Sequence, residues 1–149
     1  RDLVRSRGLG DVYKRQVTMC LPSTASAKAV MISEFPAAAQ KMLKENFSGR
    51  KVAMSTMDYD LFSKSYDVVF TNGDKVEFDS EGNWKEIKCK QSSVPKSLIP
   101  QGIKNYLKHH YTNTTVKEIE RSGNKHEVKL SNGLEITFDR NFQVIEIDD

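Results

Sequence analysis

At 149 residues the chain has room for a single domain with a real core. Its formal net charge of +3 sits at one end: five of the 23 basic and two of the 20 acidic side chains fall in residues 1–16, and residues 28–149 carry 18 of each. A body of zero net charge has no basic stripe to follow a phosphate backbone, so nucleic-acid binding is excluded despite a sequence pI near 8.8.

Residues 1–16, RDLVRSRGLGDVYKRQ, show no apolar periodicity and do not fit the start of a secretory leader. They read as an assembly artefact, with DVYKRQ resembling a translated adapter; a disordered basic arm is the alternative. Residues 17–27, VTMCLPSTASA, read as the remnant of a signal peptide. A short apolar piece and a proline lead to small residues ending in Ala25-Ser26-Ala27, an A-x-A cleavage pattern, which places the mature start at Lys28. The apolar piece is too short to span a membrane. Met19 is too large for the residue that precedes a lipoprotein cysteine, so Cys20 is expected to leave with the leader. Cys89 then stands alone, cannot form an internal disulfide, and is expected to pack as a small hydrophobe. These features predict a periplasmic or secreted protein.

The body reads as two repeats, about 32–90 and 96–148. SEFPAAAQKMLKENF (33–47) matches SLIPQGIKNYLKHHY (97–111), and DVVFTNGDKVEFDSEGNWKEI (67–87) matches EVKLSNGLEITFDRNFQVIEI (127–147). Ser33 and Ser97 are expected to cap helices, with Pro36 and Pro100 in the first turns. Phe35, Ala39, Met42, Leu43 and Phe47 then form one apolar helix face, and Ile99, Ile103, Tyr106, Leu107 and Tyr111 another. Strands are expected near 52–57 and 116–121. Two-strand alternations follow around Asn72-Gly73 and Asn132-Gly133, which suggest type I′ hairpins. A last strand closes each unit at 84–90 and 143–148. The fold class expected is α+β: a tandem α-β4-α-β4 repeat, two helices on one face of a single antiparallel sheet of about eight strands.

The phrases VEFDSEGNWKEI and ITFDRNFQVIEI are similar to the recurring strand–turn–strand phrase of the PepSY-like, beta-lactamase-inhibitor-like (BLIP-like) family of secreted bacterial proteins. The resemblance covers residues 32–148. It implies the sheet-and-helices fold, supplies no catalytic residues, and makes an inhibitor role one version of a binding function.

Chemistry is sparse. His109 and His110 are adjacent on a helix and point about 100° apart, and His126 lies on a strand, so a metal site is not expected. Residues 79–83, DSEGN, offer oxygens for calcium but lack the acidic pattern of a calcium loop; their Asp is expected to bond turn backbone. No G-x-S-x-G, Cys–His pair or phosphate-binding glycine loop is present. No enzymatic activity, cofactor or metal is expected.

The first repeat carries four extra residues, within MDYDLFSKSY (57–66), where the second has the polar RSGNKH. Met57, Tyr59, Leu61 and Phe62 form either an exposed aromatic anchor for a protein or peptide partner or a cap on the end of the core. Strand alternation from Ile87 puts Trp84 on the open sheet face, unless a bulge at residues 81–83 reverses it. These five residues are the candidate partner-binding set. A carrier or sensor of a small ligand or metal is the alternative function.

Overall fold

The computed structural model describes residues 26–149. The strands are β1 (Ser26–Ala29), β2 (Val52–Tyr59), β3 (Lys64–Phe70), β4 (Lys75–Phe78), β5 (Trp84–Lys88), β6 (Val116–Ser122), β7 (Lys125–Leu130), β8 (Glu135–Phe138) and β9 (Val144–Asp148). Two ten-residue helices, α1 (Ala37–Asn46) and α2 (Gln101–His110), precede β2 and β6. All nine strands form one antiparallel sheet in chain order, β1 to β9.

This overturns the expected α-β4-α-β4 tandem; the α+β composition and the single antiparallel sheet with two helices agree. A strand comes ahead of the first helix, and β1 pairs with β2 through Ala27↔Asp58, Lys28↔Met57 and Ala29↔Thr56. β5 pairs directly with β6 through Ile87↔Ile119, so no seam divides the sheet. The physical reason is the unpaired edge of β2: its free N–H and C=O groups are met by Ser26–Ala29, of which Ser26 and Ala27 had been assigned to the leader. The cleavage point expected after Ala27 falls inside β1. The readings of residues 1–25, including the artefact, the signal remnant and Cys20, lie outside the described residues.

The core lies between the helices and one face of the sheet. Tyr66, Val68 and Phe70 of β3 alternate inward, as do Val76 and Phe78, Val128 and Leu130, and Ile136 and Phe138. From the helical side come Phe35, Ala39, Leu43, Phe47, Ile99 and Ile103. Phe35 meets the rings of Tyr66 and Phe78, and Tyr106 sets an edge against Phe138. Each fully buried side chain of this kind contributes about 1.5–3 kcal/mol.

Helix starts and turns differ from expectation in detail. Ser33 and Ser97 sit in short 3-10 turns, Ile32–Glu34 and Lys96–Leu98, and cap nothing; Pro36 and Pro100 themselves occupy the N-cap positions. The Asn-Gly turns are not type I′, because Asn72 and Asn132 keep negative φ. Instead the N–H of Gly73 donates to the Phe70 carbonyl at 2.9 Å, and that of Phe70 to the Asp74 carbonyl at 2.8 Å. That is a type I turn closed by a left-handed glycine, φ +92.

The turn between β4 and β5 repeats this geometry with Gly82 at φ +90, and the turn between β8 and β9 puts Phe142 in the same role at φ 61. A Cβ on Gly82 would lie 2.8 Å from Pro36 and 2.9 Å from the Ala39 nitrogen. On the other half the roles are exchanged: Gly102 in α2 leaves the room that the Phe142 ring fills.

Candidate functional site

The hairpin that joins β2 to β3 turns within residues 60–63. Asp60 holds it: its Oδ1 accepts the N–H groups of Phe62 at 2.8 Å and Ser63 at 2.9 Å, and its own N–H donates to the Ser63 carbonyl. These bonds favour the charged carboxylate and lower its pKa. The tip carries Leu61 at 76% and Phe62 at 93% exposure, with Tyr59 at 40% below them. Leu61 and Phe62 are therefore presented to solvent and do not cap the core.

The remaining two candidates are elsewhere. Met57 lies within β2, paired with Tyr66, and packs half-buried against the core. Trp84 is not on the open face. A bulge sets both Trp84 and Lys85 against Phe78, which returns Trp84 to the helical side. There the Arg121 guanidinium lies 3.9 Å over its ring and donates to the Trp84 carbonyl from Nε at 3.0 Å and Nη2 at 2.6 Å. The structure thus places Tyr59, Leu61 and Phe62 at the hairpin end, Met57 two residues further down β2 on the same face as Tyr59, and Trp84 away from them on β5.

The open sheet face carries what the sequence reading missed. Cross-strand pairing aligns Asp67, Glu77, Glu86, Glu120 and Glu127 in one row over five adjacent strands. The next row mixes signs: Lys75, Lys88, Glu118, Lys129 and Glu135. Like charges directly opposite one another destabilise a sheet. Only Glu86–Lys88 at 3.6 Å and Glu135–Lys129 at 3.8 Å relieve this face by ion pairs among the described residues. Burial raises the pKa of Glu127, and Glu135, Glu120, Glu146 and Asp148 raise it further. Asp67 is pushed up to about 6, first by burial and then by the neighbouring Asp58 carboxyl, with Lys75 opposing. Its Oδ1 is buried without a hydrogen-bond partner among the described residues. The acidic alternation, such as Glu118 and Glu120, was present in the sequence; its alignment needed the strand register.

The metal candidates do not converge. His109 Nδ1 contacts the Asn105 carbonyl at 2.8 Å, His110 stacks on Tyr106, and His126 rests on Phe142. Asp79 Oδ1 accepts the N–H groups of Glu81 and Asn83, the turn role expected of it. Among the described residues no three His, Cys, Asp or Glu side chains are grouped to hold a metal ion. Cys89 is 2% exposed, and burial and then Asp74 push its thiol pKa up. No helix among the described residues is long and apolar enough to cross a membrane.

Residues 64–146, from the start of β3 to within β9, match the family model described as "Putative beta-lactamase-inhibitor-like, PepSY-like". The chain belongs to this PepSY-like family. Three solved structures extend the PepSY-like match toward the N-terminus. A "putative periplasmic protein" of the DUF2874 family from Bacteroides vulgatus is 48% identical, with 83% of this chain and 97% of that one covered and a TM-score of 0.81. A "putative calcium-regulated periplasmic protein" from Bacteroides thetaiotaomicron is 46% identical, with 83% and 97% covered and a TM-score of 0.80. A second Bacteroides vulgatus protein, of unknown function, is 38% identical, with 84% and 99% covered and a TM-score of 0.76. A comparison with curated proteins gave no match.

Proposed function

We propose that the protein is a periplasmic, non-enzymatic binding module that grips a protein or peptide partner with the β2–β3 hairpin tip. The observation that carries this reading is the presentation of Leu61 and Phe62 on a turn locked by Asp60. Exposed apolar side chains on a preorganised turn lose little entropy on binding and serve as interface anchors. Asp58, just below the tip on β2, and Asp67, which begins the acidic row on β3, favour a partner with a cationic surface. An inhibitor is one form such a module takes. The periplasmic location is supported by the descriptions of the relatives.

The test is retention of proteins from a Bacteroides periplasmic extract by immobilised chain, beside a Leu61→Ser/Phe62→Ser variant of unchanged Tm. A protein held by the wild type, released by salt and lost with the variant supports the reading. Equal retention by both overturns it. Trp84→Ala serves as the control that lowers Tm and leaves retention unchanged.

Calcium response is a second reading, favoured by the description of the 46% identical relative. The described residues do not fit a preformed calcium cage, since the Asp79 and Asp139 carboxylates are engaged with their turns and the acidic row is spread across strands. Calcium would then act by screening the open face, which millimolar calcium chloride against equal ionic strength of sodium chloride would separate in the same retention experiment.

A further inference from the structure

A groove of about 510 Å³ runs along α2, between the residues that lead into the helix and those that lead from it to β6. Its floor is apolar: Val94, Ile99, Leu107 and Val116, of which all but Leu107 are at least nine-tenths buried. The Val94 N–H donates to the Val116 carbonyl at 2.9 Å, which fixes the two walls against each other. Lys96, Lys104 and Lys108 line the same groove, and no carboxylate does.

These lysines are not accounted for by the fold. None of them makes an ion pair among the described residues. Lys108 in the last turn of α2 complements the helix dipole, but Lys96 precedes the N-terminus, where the dipole disfavours a cation. The comparable groove along α1 shows the contrast. That groove is also lined by two lysines, Lys41 and Lys44, and by no carboxylate, but there Arg50 is paired with the buried Asp74 at 2.7 Å and its guanidinium lies 4.6 Å over the Phe47 ring, so an arginine covers part of the floor. The chain builds no such stopper beside α2.

A groove of small-molecule size with an aliphatic floor, polar walls at Ser93 and residues 112–115, and lysines without a carboxylate on its rim suits an amphiphile with an anionic head. We propose that the α2 groove binds a single-chain amphiphile with a carboxylate head, a free fatty acid. The acyl chain lies along Val94, Leu107 and Val116, and the carboxylate sits among the lysine ammonium groups. Lysine suits this head, being a mobile point charge that needs no bidentate geometry. The site is separate from the hairpin tip and stands or falls independently of the partner-binding reading.

Dodecanoate, below its micelle concentration, is titrated into the chain by calorimetry, beside dodecanol and dodecyltrimethylammonium. Methyl resonances of Val94, Leu107 and Val116 are followed in the same titration. The expected result is saturable binding of dodecanoate at least tenfold tighter than dodecyltrimethylammonium, with shifts confined to those methyl groups. Lys104→Gln/Lys108→Gln weakens it about fivefold, as loss of two exposed ion pairs predicts. Lys41→Gln/Lys44→Gln on α1 leaves it unchanged. Absence of binding, equal binding of all three amphiphiles, or an effect of the α1 variant in place of the α2 variant would overturn the proposal.

Discussion

Gly102 and Phe142 show how single residues set the packing of a helix on this sheet. Phe142 holds a left-handed backbone, which strains a bulky residue by about 1–2 kcal/mol. It remains there because its ring fills the space left by the missing Cβ of Gly102 and meets His126. At the matching turn the arrangement is reversed, with Gly82 under Pro36 and Ala39. Gly102→Ala would place a Cβ 2.7 Å from the Phe142 ring and should destabilise the protein by about 2 kcal/mol. Phe142→Gly in the same chain should restore part of that loss. Denaturant unfolding of the two single variants and the double variant measures the coupling, and simple additivity would refute the pairing. The glycine and the phenylalanine were both visible in the sequence; nothing in their spacing, forty residues apart, said that they touch.

Among the elements, the β2–β3 hairpin combines an exposed apolar tip with a carboxyl pair on its open side. Asp67 holds its proton to about pH 6 in the folded protein, while the ordinary carboxyl loses it near 3.8. The folded state therefore binds more protons between these values, and stability falls as pH rises from about 4 to about 6, staying lower above. Asp67→Asn should remove that slope and raise stability at pH 7.5 by about 1 kcal/mol, the linkage being screened at a half-exposed site. Melting temperatures of both proteins from pH 4 to pH 8 decide it; parallel curves would show that Asp67 is not the titrating group. The hairpin's existence was legible from alternation around residues 52–70. Its short turn was not: the sequence reading ends the strand near residue 57 and leaves the four extra residues in a loop. The strands took most of them, since each added pair satisfies backbone groups that a loop would leave to water.

At the scale of the whole molecule, a body with equal numbers of acidic and basic side chains distributes them unevenly, although one row of the open face mixes both signs. The open sheet face holds the row from Asp67 to Glu127, whereas Lys41, Lys44, Lys104 and Lys108 belong to the helical side. Such a dipolar surface orients an approaching charged partner without any net charge. Glu120 sits between Glu86 and Glu127 in the row. Glu120→Lys converts two like-charge neighbours into opposite ones and should raise stability by about 0.5–1 kcal/mol at low salt. The gain should shrink in 0.5 M sodium chloride. A variant less stable than wild type at low salt would show that the row carries no repulsion. The same variant should weaken retention of a cationic partner, which links this face to the proposed function.

The sequence by itself determined the α+β composition, the two apolar helix faces, the alternating strands and the family, because each of these follows from local periodicity and turn chemistry within a few residues. It also pointed to Leu61 and Phe62, since apolar residues in an inserted segment stand out beside a polar counterpart. Only the tertiary structure decided the rest. It recruited Ser26–Ala29 to the sheet edge as a ninth strand, set β5 beside β6, and turned Trp84 inward by a one-residue bulge. It also aligned carboxylates from five strands and set three lysines around one groove. These are matters of register and edge pairing, where a shift of one residue exchanges the two faces of a strand while leaving its composition and its periodicity unchanged.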